Sequence, residues 1–176
     1  MNAFAGARMT GRFYGKYRAT VHDNVDPYRL GRIRAIVPDV TGKDEPSSWA
    51  WPCLPAAGAG MGLFTIPPKD AGVWIEYEGG DHRYPIWVGG YWTHAEVPGL
   101  VPREAPLVAA FTLQTKKGHG LVISDAPGTG GILIRNATGA KISIADDGIT
   151  IDNGKGAVFT MKGRSVDMNN GALKVT

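Results

Sequence analysis

The chain has 176 residues, 43% of them hydrophobic, with 25 glycines, 12 prolines and a formal charge of +3. That is enough apolar material for one or two small domains, but the Gly and Pro punctuation excludes long helices, and no run of about 18 apolar residues exists to cross a bilayer as a helix. Eleven Lys and Arg up to residue 106 are matched by eleven Asp and Glu, so the basic excess arises in residues 107–176, eight against five, dispersed among Gly and Asn as on a solvated surface rather than a phosphate-binding patch.

Residues 1–15 read as a basic, acid-free arm. The N-terminus lacks the continuous apolar segment of a secretory signal, so assembly in the cytoplasm is expected. Residues 16–92 read as a small antiparallel β domain. Lys16–Val21 is a strand, Asn24-Val25-Asp26-Pro27-Tyr28 has turn chemistry, and Gly31–Val37 is a strand with Arg32 and Arg34 on one face, ended by Pro38. A polar loop, Thr41–Ser48, leads to a short strand over Trp49–Leu54. Cys53, the single cysteine, permits no internal disulfide and is read as a buried, inert thiol.

The run Ala56–Gly62 is small and flexible, and without a following Lys-Ser/Thr it reads as a loop fitting a close neighbour, not a phosphate cradle. Ala71–Glu78 alternates, with Val73, Ile75 and Tyr77 on one side and Trp74, Glu76 and Glu78 on the other. Gly79-Gly80-Asp81 turns the chain, and Tyr84–Gly90 returns. Five strands in roughly 80 residues fit a Greek-key barrel of the OB type. Pro98, Pro102 and Pro106 then mark residues 93–106 as an extended linker.

Residues 107–176 carry a repeat of paired apolar residues flanking one outward residue. The pairs are Phe111/Leu113, Leu121/Ile123, Ile132/Ile134, Ile142/Ile144, Ile149/Ile151, Phe159/Met161, Val166/Met168 and Leu173/Val175. Their first members advance by 10, 11, 10, 7, 10, 7 and 7 residues. Each pair is separated from the next by turn formers. A strand this short cannot make a core alone, and steps of this size are too short for a single-chain solenoid. Three chains winding together bury the inward pairs, so the repeat itself predicts a homotrimer: a needle of eight strands, roughly 40 Å long at about 4.8 Å per strand.

The order Asp26-Pro27…Gly31-Arg32…Pro38, Trp49, Pro67-Pro68-Lys69-Asp70-Ala71-Gly72, then Gly79-Gly80-Asp81…Pro85…Gly89, resembles the OB domain shared by the central spikes of contractile phage tails and the Vgr-type spikes of type VI secretion. The resemblance covers about residues 24–92; the needle is similar in repeat style. It implies an all-β chain: an OB-fold collar followed by a triple-stranded β-helix needle in an intertwined homotrimer. It further implies a structural, membrane-piercing baseplate spike, assembled in the bacterial cytoplasm and carried in a virion tail or injection particle. The implied partners are a separate hub protein above the collar, a PAAR-repeat tip protein below, and the target cell's outer membrane during piercing. The final residues hold no His-x-His pattern, so no metal tip is expected.

No catalytic, cofactor or metal residue is assigned. Glu76 and Glu78 have the spacing of paired carboxylates, but a solvated strand face accounts for them. His22, His82, His94 and His119 are scattered without metal-ligand spacing. Single-stranded nucleic-acid binding by the OB aromatics is the alternative, and a cell-wall-degrading enzyme a further one. Against the first stands the neutral charge of residues 1–106.

Overall fold

A computed structural model describes residues 11–101 and 110–175. Residues 1–10 of the expected arm, 102–106 of the expected linker, and 107–109 and Thr176 of the expected needle lie outside the described residues. The chain divides into two compact units, Met1–Glu96 and Val97–Thr176.

The first unit is built on β1 (Tyr17–Asp23), β2 (Arg34–Ile36), α1 (Pro38–Thr41), β3 (Trp51–Pro52), β4 (Ala57–Gly58), β5 (Met61–Gly62), β6 (Gly72–Tyr77) and β7 (Pro85–Tyr91). Five strands form one sheet in the order β2-β1-β6-β7-β3. Its ends are joined beside β2 and β3, where Ile33 N–H donates to Ala50 O at 3.1 Å and Ala50 N–H donates to Ile33 O at 2.7 Å. That reciprocal pair closes the sheet into a small barrel of the OB type.

Period-two alternation fills the barrel. Val73, Ile75 and Tyr77 point inward from β6, and Ile33, Ala35 and Val37 from the segment around β2, joining Ala19, Val21, Ala50 and Trp87 in one core. Trp87 satisfies its buried indole by donating Nε1–H to Gly31 O at 3.0 Å. Pro38 ends β2 as expected but also opens α1, because a proline is tolerated at a first helical position.

Several local expectations are corrected. Cys53 is exposed, not buried: its neighbour Ala50 faces the core, and alternation sends Trp51 and Cys53 outward. The expected strand over Trp49–Leu54 shrinks to the two residues of β3, since Pro52 and Pro55 limit ladder donors. The glycine run is ordered as the hairpin β4/β5, Ala57 opposite Gly62 and Gly58 opposite Met61. Glu78 leaves the strand for a 3-10 turn over Glu78–Gly80, so it does not share a strand face with Glu76. The described part of the linker makes reverse turns, Glu96 N–H to Thr93 O and Val101 N–H to Pro98 O, instead of running extended.

Residues 12–14 lie on their own barrel. Phe13 N–H donates to Gly80 O at 2.8 Å, Arg12 Nη1 donates to Gly79 O at 2.6 Å, and the Phe13 ring packs near Tyr17, Tyr77 and His82.

The second unit is a single antiparallel meander of β8 (Ala110–Gln114), β9 (Gly120–Ser124), β10 (Gly131–Arg135), β11 (Lys141–Ala145), β12 (Gly148–Asp152), β13 (Val158–Lys162), β14 (Ser165–Met168) and β15 (Leu173–Val175), each paired with its sequence neighbours. The uneven repeat steps follow from the turns. A five-residue strand plus a two-residue turn, as at Asp146–Asp147 or Gly163–Arg164, gives a step of seven. The same strand plus a five-residue turn gives ten; Thr115 Oγ1 accepts from His119 N–H in the first such turn, and Asn caps the other two. Asn136 Oδ1 accepts from the N–H groups of Thr138 and Ala140, and Asn153 Oδ1 from those of Lys155 and Ala157. This is the Asx turn, a side chain standing in for a backbone acceptor.

Gly148 starts β12 with φ 143°, and a Cβ there would collide with the carbonyl oxygen of Met161 on the neighbouring strand. Backbone, not a flexible side chain, would have to move. Gly148→Ala is therefore expected to destabilise the needle by about 1–3 kcal/mol, read as a lower temperature for loss of its β signal in circular dichroism.

Candidate trimer interface

The strand register converts the apolar pairs into two unbroken ladders on one face of the sheet. One runs Phe111–Ile123–Ile132–Ile144–Ile149–Met161–Val166–Val175, each residue directly opposite the next. The other runs Leu113–Leu121–Ile134–Ile142–Ile151–Phe159–Met168–Leu173. All sixteen residues singled out by the repeat stand on these ladders. None is buried within the single chain; exposure reaches 54% at Phe111 and 59% at Val175.

Between the edge strands β8 and β15, backbone hydrogen bonding is thus satisfied inside the chain while the hydrophobic demand is not. Covering a half-exposed side chain of this kind contributes on the order of 1 kcal/mol, so sixteen of them make a surface that a soluble monomer does not leave uncovered.

The central residue of each strand takes the opposite face and forms a third ladder, Thr112–Val122–Leu133–Ser143–Thr150–Thr160–Asp167, with Lys174 next in register. Near its start, at Thr112 and Val122, it is already covered. Leu100 lies against Gly120, where a Cβ would meet the leucine methyl, and its N–H donates to Gln114 Oε1 at 2.8 Å. Val122 is buried. Beyond Leu133 the ladder is hydroxyl-bearing or charged, as a water-facing surface requires. No local pattern assigns Leu100 to this unit, because its contact depends on the turn at Pro98–Val101.

In the collar, the motif residues are structural. Asp26 is a buried carboxylate that accepts from the N–H groups of Tyr28 at 3.0 Å, Leu30 at 2.8 Å and Arg32 at 3.3 Å, and from Arg32 Nη2 at 2.7 Å. The Arg32 guanidinium, followed by those backbone donors, holds the Asp26 carboxyl well below the usual carboxylate range against the opposing effect of burial. Arg32 is itself packed over Tyr28, Trp49 and Trp51, with its guanidinium 4.9, 5.6 and 5.4 Å from the ring centres.

Pro27 lies in the turn that Asp26 organises. Gly31, at φ 77°, leaves room for the Phe64 ring, and a Cβ on Gly72 would sit 2.7 Å from the Tyr91 ring. Gly79 and Gly80 take the positive φ angles of the β6–β7 turn, and Gly89 has φ 154° within β7. Asp81 is paired with Arg83, Pro85 is fully buried, and Pro38 begins α1.

These contacts bear on the alternative readings. Tyr28, Trp49 and Trp51 are stacked with Arg32 beside Asp26, and Trp74 and Tyr91 with Arg18. Glu76 is paired with Lys16. The His82 ring packs edge-on to Phe13. His119 is exposed and its Nδ1 accepts from Ala137 N–H at 3.3 Å, linking two turns on one edge of the meander. Among the described residues no group of three His, Cys, Asp or Glu could hold a metal ion.

A closed barrel is followed along the chain by a meander whose apolar face stands exposed among the described residues. Residues 17–92 match the family described as the type VI secretion system/phage-baseplate injector OB domain. Residues 110–174 match the phage baseplate V C-terminal trimerisation domain. No curated protein matches the chain. The chain belongs to the baseplate spike family of contractile phage tails and Vgr-type injectors, and its role is that of a structural baseplate component.

Proposed function

We propose that this chain is the central, membrane-piercing spike of its baseplate, working as a homotrimer and by mechanics rather than catalysis. The observation that carries this reading is the pair of apolar ladders, whose strands pair with one another along the sheet while their side-chain face stays exposed. Three such faces turned toward a common axis make a dry prism, with Phe111 to Val175 and Leu113 to Leu173 as its core. Sheath contraction then drives the needle into an outer membrane. A needle of three sheets resists that load because no strand detaches without exposing the apolar surface of all three chains.

The expected domain organisation stands within the proposal: an arm over 1–15, a collar over 16–92, a linker over 93–106 and a needle over 107–176. A separate hub protein seats above the collar, and a PAAR-repeat tip protein caps the open edge of β15. Assembly takes place in the bacterial cytoplasm before incorporation into a tail or injection particle.

The test is the mass in solution and its resistance to detergent. A trimer that survives SDS at room temperature and dissociates on heating is expected. A particle of 18.7 kDa by light scattering would refute the reading.

A further inference from the structure

The meander places its turns alternately on two edges. One edge carries the turns 115–119, 136–140, 153–157 and 169–172; the other carries 125–130, 146–147 and 163–164. Their charges differ. The first edge, with its flanking strand ends, presents Lys116, Lys117, Arg135, Lys141 and Lys155 against the single acid Asp152. The second presents Asp125, Asp146 and Asp147 in its first two turns, and Lys162 and Arg164 about its third.

Of these, Asp147 is paired with Lys162 from the next turn on the same edge, which lowers its carboxyl below the ordinary range. The five cations of the first edge, with Asp125 and Asp146, make no ion pair among the described residues. All seven are exposed or half-exposed.

Height along the sheet is set by strand number. Turns on one edge recur every two strands, roughly 10 Å apart, and the two edges are offset by one strand, about 5 Å. In a ring closed by pure rotation every copy sits at the same height, and one edge of each chain meets the other edge of the next. The level carrying Asp125 then falls between the levels carrying Lys116/Lys117 and Arg135/Lys141. The level carrying Asp146 falls between Arg135/Lys141 and Lys155. The first two turns of the acidic edge thus enter the gaps of the basic edge with opposite charge, whereas its third, with Arg164, falls beside Lys155.

We propose that the corners of the trimer are electrostatic seams, the basic edge of one chain meshing with the acidic edge of a second copy, and that these seams set the level register of the three sheets. The apolar ladders hold the chains together but are poor at registry, because Ile faces Ile at many heights and a slip of two strands keeps apolar residues in contact. A two-strand slip carries one acidic level past the end of the basic series, so charge at the corners disfavours it, and charge also steers association. The proposal rests on the homotrimer reading.

It is tested with three variants of the full chain: a basic-edge reversal, Lys116→Glu with Lys117→Glu and Lys141→Glu; an acidic-edge reversal, Asp125→Lys with Asp146→Lys; and the combination of both. Mass by analytical ultracentrifugation and the temperature of trimer dissociation are measured near 0.01 M and near 1 M salt, where screening lengths are about 30 Å and 3 Å. At low salt each single-edge reversal is expected to lower the dissociation temperature, on the order of ten degrees, or to give misregistered oligomers larger than a trimer. The combined variant restores most of the loss, and the differences shrink at high salt.

Because the combined variant carries every substitution, its recovery separates seam chemistry from damage to folding. Single reversals that dissociate like the parent, or a combined variant no better than its halves, overturn the seams while a trimeric parent leaves the homotrimer standing. A monomeric parent overturns both.

Discussion

Ile142→Asp should abolish the trimer. Ile142 lies mid-needle, on a ladder between Ile134 and Ile151, and in the trimer three copies of the new carboxylate would meet in a dry interior. Burying one unpaired carboxylate costs several kcal/mol after relaxation, and here like charges approach one another as well. The cost falls on all three chains at one level, so a loss of at least a hundredfold in trimer population is expected.

Ser143→Asp supplies the control. It introduces the same group one residue away but on the opposite, water-facing ladder, and should leave the trimer mass unchanged. Sedimentation of the two variants side by side decides the matter. Equal behaviour of both would mean that the face assigned to the interior is the wrong one.

Asp26→Asn should produce the largest loss of collar stability of any single polar change. The carboxylate organises the β1–β2 connection through three backbone donors and anchors an arginine that in turn carries three aromatic rings. An amide offers one acceptor oxygen where two are used and leaves Arg32 without its counter-charge. A drop on the order of ten degrees in the collar's melting temperature is expected, read from tryptophan fluorescence.

The pH dependence provides a signature. A carboxyl whose folded pKa is depressed contributes stability that is complete above its unfolded value, about 3.9, and is lost as pH falls toward the folded value. Parent and variant should therefore differ most near neutrality and converge below about pH 4. Asp81→Asn is the comparison. Its carboxyl is also depressed, first by Arg83, but Arg83 is 70% exposed and solvent-screened pairs contribute little. A shift of a degree or two is expected there.

Much of the molecule was legible because its elements obey simple periods. The strict inward placement of Val73, Ile75 and Tyr77, and of Ile33, Ala35 and Val37, is a period-two pattern, and the barrel follows from five such strands with turn chemistry between them. The needle was more legible still. Paired apolar residues at short, uneven steps leave one arrangement in which all sixteen share a face, and the meander has that register. What failed did so where neighbours outside the local pattern decide. Cys53 looked apolar among prolines, yet its direction is set by the pairing of Ala50 with Ile33. The glycine run from Ala56 looked unstructured, yet two small ladder pairs suffice to order it. Leu100 sat among prolines as linker, yet Gly120 offers a site that only a residue without a side chain could leave open.

The paired apolar repeat thus determined, without coordinates, which sixteen residues share one face of the second unit. Periodicity encodes which way each side chain points, so an apolar face is visible in the spacing alone. The tertiary structure decided what spacing does not carry: that each strand pairs with its sequence neighbours, that the turns alternate between two edges of different charge, and that Asp26 and Arg32 lock the first connection of the barrel. Those features depend on which residues meet across folded distance, and contact at a distance is fixed by the register of the whole sheet rather than by any one stretch of chain.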